Sequence, residues 1–99
     1  MYVVRNTFIA KPGHGSKLAN LMSRVFADKD NYRVMTDFVS DFNTVVMEST
    51  HESLADYEQT MQDYAEGKVT LDPALADEMK AYTSLWKTGK REVFKVVKG

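Results

Sequence analysis

The chain has 99 residues, 43% of them hydrophobic and 27% charged, with a formal net charge of −1 and a pI near 6.1. A chain of this length forms one domain, residues 1–99, around one modest core, because only about 65% of its unfolded surface can be buried. The balanced charge leaves no footprint for nucleic acid or an anionic membrane, no apolar run approaches the roughly 20 residues of a membrane span, and the lack of cysteine removes disulfides, thiol nucleophiles and Cys-held metals.

The opening residues Met1 to Lys11 alternate like a strand rather than following the layout of a signal peptide, and the absence of cysteine fits a cytoplasmic protein. Tyr2 to Ala10 are mostly β-branched or aromatic and read as a strand, ended by Lys11-Pro12-Gly13. Leu18, Leu21, Met22, Val25 and Phe26 then recur at helical spacing, so residues 16–26 form an amphipathic helix with one buried stripe. A polar turn, Asp28 to Asn31, leads to strands over 32–39 and 44–49, joined by the hairpin loop Ser40-Asp41-Phe42-Asn43. Ser53 caps a second helix with Asp56 at its N3 position, Leu54, Tyr57, Met61 and Tyr64 as its stripe, and Gly67 as its stop. Asp72-Pro73 starts a third helix carrying Leu75, Met79, Tyr82 and Trp86 on one face and ending at Gly89. The last strand spans 91–97.

The order β-α-β-β-α-α-β specifies an α+β fold of the ferredoxin-like, split βαβ kind, with a four-stranded antiparallel sheet and one extra helix. Helices cover one face of such a sheet, and a water-facing second face would show alternating apolar and polar residues. Here Val3 and Ile9 oppose Val4 and Phe8, Met35 and Val39 oppose Val34 and Phe38, and Val93 and Val97 oppose Phe94 and Val96. Both faces are apolar, and a patch of that size is uncommon on a monomer. The expectation is a homodimer with two sheets face to face.

This layout resembles the dimeric α/β-barrel superfamily, which includes antibiotic-biosynthesis-type monooxygenases, haem-degrading monooxygenases and NIPSNAP-like proteins. The resemblance covers almost the whole chain and is carried by VVRNTFIAKPGHGSKL, by VVMESTHESLADYE after the hairpin, and by the closing KTGKREVFKVV. The last strand and the SLADYE helix resemble the NIPSNAP-like branch. For haem degradation the resemblance implies an asparagine on the first strand, a tryptophan on the second helix and a later iron-ligating histidine. Asn6 matches the first and Tyr57 stands near the second, but no histidine follows His51, so haem degradation is not expected.

The stretch PGHGSK lacks the spacing of a P-loop or a dinucleotide fingerprint; it reads as a strand-to-helix turn with Ser16 as a candidate helix cap. His14 and His51 have no partner ligand at helical spacing and read as exposed loop residues, so no metal site is expected. No cofactor is implied. Asn6 stands out as a mid-strand amide in register with Val4 and Phe8, where it must be hydrogen-bonded or costly. It is the candidate catalytic residue, a donor aimed at a substrate oxygen. Arg5 and Glu48 are expected to pair across strands; the alternative for them or Lys95 is a general base or an anion clamp. Tyr57, Met61, Tyr82 and Trp86 are the candidate ligand-binding residues, since aromatic and thioether stripes suit either a core or a pocket for a flat apolar molecule.

Two functions follow. One is a dimeric module binding a small apolar or aromatic molecule between sheet and helices. The other, implied by the resemblance, is cofactor-independent oxygenation of an electron-rich phenol, with Asn6 as donor and Tyr57 and Trp86 as walls. The second lacks an evident general base in the sequence.

Overall fold

A computed structural model describes all residues, Met1–Gly99. Its elements are β1 (Tyr2–Ala10), α1 (Gly15–Val25), β2 (Tyr32–Thr36), β3 (Thr44–His51), α2 (Leu54–Ala65), α3 (Pro73–Met79), a 3₁₀ turn (Tyr82–Leu85) and β4 (Trp86–Lys95). The sheet is antiparallel in the order β2-β3-β1-β4, which is the ferredoxin-like arrangement expected, with β3 inserted between β1 and β2. No helix is long and apolar enough to cross a membrane.

Side chains alternate across the sheet. In the β1–β3 and β1–β4 registers, Val4, Asn6, Phe8, Met47, Ser49, His51, Arg91 and Val93 share the face beneath the helices. On that face, the stripe Leu18, Leu21, Met22 and Val25 of α1 closes a core with Ala10, Val45 and Leu85. The opposite face carries Val3, Ile9, Met35, Val46 and Phe94, together with Arg5, Arg33 and Glu48, and nothing in the chain covers it. There the expected Arg5–Glu48 pair forms: Arg5 Nε donates to Glu48 Oε2 at 2.6 Å, and Arg33 Nη2 donates to Oε1 at 2.7 Å.

Several boundaries differ from expectation, among them the end of β4 at Lys95 rather than residue 97. Gly13 takes φ +80° in the turn after β1, but the N-cap of α1 is His14, and Ser16 lies inside the first turn. β2 stops at Thr36, so Phe38 and Val39 leave the sheet and stand 100% and 88% exposed, and the loop closes with Phe42 and Asn43 at positive φ. α3 ends at Met79 rather than continuing to Gly89; Ser84 Oγ donates to Ala81 O at 2.6 Å in the 3₁₀ turn that replaces it, a side-chain bond that competes with helix. Trp86 therefore begins β4. Gly89 is a strand residue lying against aromatic rings: a β-carbon there would sit 3.3 Å from the Trp86 ring and 3.4 Å from that of Phe8.

Candidate functional site: a cavity between sheet and helices

Ser53 caps α2 by accepting a hydrogen bond from the Asp56 N–H at 3.0 Å, and this sets the helix across the sheet. None of the residues of α2 is fully buried, and its stripe of Tyr57, Met61 and Tyr64 faces a void rather than a close-packed core. The cavity measures about 310 Å³. The sheet supplies Val4, Asn6, Phe8, Tyr32, Met47, Ser49 and Arg91; α1 supplies Met22 and Val25, and its C-cap supplies Phe26; Leu71, Met79 and Tyr82 complete the wall. Its size and its apolar lining with few polar groups suit a small organic molecule.

Asn6 is the most strongly defined polar group. Arg91, directly opposite on β4, donates from Nε to Asn6 Oδ1 at 2.8 Å. A guanidinium has no acceptor, so the amide oxygen must face Arg91 and the amide nitrogen must face away from it. That nitrogen makes no hydrogen bond within the chain, although Asn6 lines the cavity.

A second polar group lies on β3. Ser49 Oγ and His51 Nε2 are 2.9 Å apart, both residues are buried, and the Tyr57 ring meets the His51 ring edge-on with centroids 5.1 Å apart. His51 is thus not an exposed loop residue: β3 runs two residues further than expected and carries its ring onto the covered face. A cluster of tyrosines forms the third polar feature. Phe26 stacks on Tyr32 at 4.3 Å and meets Tyr64 edge-on. Burial pushes the Tyr32 hydroxyl up, and burial together with neighbouring Tyr32 pushes Tyr64 up to about 12, so both remain neutral donors at physiological pH.

The cavity thus brings together Asn6, Tyr57, Met61 and Tyr82. Trp86 stands behind the wall, against Phe8 (5.3 Å) and Tyr82 (6.2 Å), and its buried Nε1 has no partner. Ser49, His51 and Arg91 are the polar groups that sequence reasoning missed. Extending the alternation Met47, Ser49 by one step reaches His51, which was the available signal. No group of three His, Asp or Glu residues is disposed to hold a metal ion.

Solved structures share this arrangement. A NIPSNAP family protein from Agrobacterium tumefaciens superposes with a TM-score of 0.71 at 12% identity, covering 94% of this chain and 82% of that one. An uncharacterized NIPSNAP domain protein from Burkholderia xenovorans gives 0.69 at 12% identity, over 98% and 95% of the two chains. An antibiotic biosynthesis monooxygenase gives 0.65 at 11% identity, over 99% and 100%. The chain has the fold that these proteins share. No protein-family model matches the sequence, and neither does any curated protein. At these identities the likeness establishes fold, and the site must be judged on its own residues.

Proposed function

We propose that the chain binds a small apolar or aromatic molecule in this cavity, with Asn6 as the polar anchor, and that it does so as a homodimer. The observation that carries the reading is the apolar stripe of α2 facing a void of about 310 Å³ whose floor holds an amide with unengaged N–H donors. Apolar walls supply affinity by area, and one oriented donor fixes how an oxygen-bearing ligand sits. Tyr57, Met61 and Tyr82 form part of the wall, and Trp86 supports it from behind.

The dimer reading is supported by the uncovered face of the sheet, where Phe94 is 42% exposed, and by the loop residues Phe38, Val39 and Phe42. Fluorescence titration of the wild type and Asn6→Leu with a panel of naphthols and their apolar parents tests the binding reading. Saturable binding, weakened for the naphthols but not for the hydrocarbons in the variant, is the expected result. Failure of every panel member to bind the wild type overturns it.

The fold shared with an antibiotic biosynthesis monooxygenase favours a second reading, cofactor-independent oxygenation of an electron-rich quinol or anthrone. Asn6 would then hold the substrate oxygen while dioxygen reacts with the deprotonated ring. Oxygen uptake with a quinol and anthrone panel decides it: consumption abolished by Asn6→Ala supports the reading, and no consumption by the wild type rejects it.

A further inference from the structure

Ser49, His51 and Asp56 form a line that leads from the cavity wall outward. Ser49 lines the cavity and its Oγ is 2.9 Å from His51 Nε2. On the far side of the ring, His51 Nδ1 is 3.9 Å from Asp56 Oδ2. We propose that this line is a proton relay serving the cavity, and that the ligand it serves carries a weakly acidic hydroxyl, a phenol or an enol, which is held there as its anion. The proposal rests on the cavity reading above and narrows its ligand class.

The chemistry follows from which nitrogen faces which group. At 3.9 Å the carboxylate does not hydrogen-bond to the ring, but its charge lies on the Nδ1 side and favours the tautomer with the proton there. The lone pair is then on Nε2. A ring in that state accepts from Ser49, which leaves the two Oγ lone pairs for donors on the cavity side: the Tyr32 hydroxyl, opposite Ser49 on β2, is in reach of one, and the other is left for a ligand. A ligand O–H fits that vacancy. As it donates its proton to Ser49 Oγ, Ser49 passes its own proton to His51 Nε2; the electron pair of the ligand O–H bond stays on the ligand oxygen, Ser49 ends neutral and His51 ends as the imidazolium. No co-reactant is consumed.

The resulting anion has a donor in reach. Val4 is opposite Ser49 and Asn6 is opposite Met47, so Asn6 and Ser49 are diagonal neighbours on one face. Such positions lie about 7–8 Å apart, room for one ligand oxygen hydrogen-bonded to both. The Asn6 amide is polarised in the required sense by Arg91, which adds a positive charge behind it. The other titratable groups beside His51 are Tyr57 on α2 and Tyr2, its partner on β1.

The test uses 4-nitrophenol, whose anion absorbs in the visible, and 4-nitroanisole, which cannot ionise, in buffer below the phenol's own pKa. Binding is followed by tyrosine and tryptophan fluorescence, and ionisation by the phenolate band. The wild type is expected to bind both probes and to develop the band with the phenol. Ser49→Ala and His51→Gln are expected to bind both probes but to lower the bound phenolate-to-phenol ratio about tenfold, the equivalent of one pKa unit. Binding of the phenol to the wild type without the band overturns the relay alone, as does a band that persists in the variants, which would make Ser49 and His51 a structural pair only. If neither probe binds the wild type, the cavity reading fails and the relay with it. Should His51→Gln not fold, Ser49→Ala decides by the same readout.

Discussion

Arg91 and Asn6 face each other across the β1–β4 ladder, and the 2.8 Å bond from Nε to Oδ1 leaves the amide only one chemically consistent orientation. Asn6→Asp keeps the bond to Arg91 and strengthens it by charge, but it removes the N–H donors. The fold should therefore hold while binding suffers. Loss of one donor to an oxygen-bearing ligand costs about 1–2 kcal/mol, which predicts roughly five- to thirtyfold weaker naphthol binding by calorimetry, with an unchanged or higher melting temperature.

Glu48 is the most buried carboxylate, only 5% exposed, and it receives Arg5 on one oxygen and Arg33 on the other. Burial pushes its carboxyl up, but the hydrogen bonds and charges of Arg33 and Arg5 more than offset this and hold it below its ordinary value. Because the folded value is the lower one, its contribution is fully present above the ordinary glutamate pKa and is lost as the pH falls through the folded value. Both arginine partners keep substantial contact with water, which screens the pair. Glu48→Gln is expected to cost about 1–2 kcal/mol at neutral pH. Denaturant melts should show this gap narrowing in acid, in the range where wild-type Glu48 protonates.

Trp86 presents the opposite case, a buried N–H with no partner. Such a group costs about 1–3 kcal/mol, comparable to what the larger ring gains by burial. Trp86→Phe keeps a ring against Phe8 and Tyr82 and removes the orphan donor. Thermal denaturation should place it within about 1 kcal/mol of the wild type, whereas Trp86→Ala should lose about 3–5 kcal/mol.

The legible parts of this chain were those written in local patterns. The α1 stripe, the Ser53 cap, the Pro73 start and the first strand are all where spacing and capping chemistry put them. Asn6 was legible as an amide out of place among hydrophobes. The end of α3 was not: Leu75, Met79, Tyr82 and Trp86 keep helical spacing, yet a 3₁₀ turn delivers Tyr82 to the cavity, and strand pairing with Ala10 claims Trp86. His51 was hidden because two residues of strand extension decide whether its ring is buried. Arg91 could be seen only once β4 was set in register with β1, a relation between positions 85 residues apart.

The uncovered face of the sheet carries a prediction of its own. Phe94 lies on it with Arg5 stacked over its ring at 5.3 Å. Light scattering should give a dimer for the wild type at micromolar concentration. Phe94→Glu places a charge in the proposed contact and should shift the protein to monomer with its circular dichroism intact. A monomeric wild type would contradict the dimer.

The central claim, that the cavity is where a ligand sits, is tested most directly through the methionine methyl groups. Of the six methionines, Met22, Met47, Met61 and Met79 line the cavity, while Met35 lies on the opposite face of the sheet and Met1 is exposed at the terminus. In methyl-labelled protein titrated with 2-naphthol, the four cavity methyls should show saturable NMR shifts from aromatic ring currents, with Met1 and Met35 unmoved. Shifts centred on Met35, or none at any of the four, would contradict it.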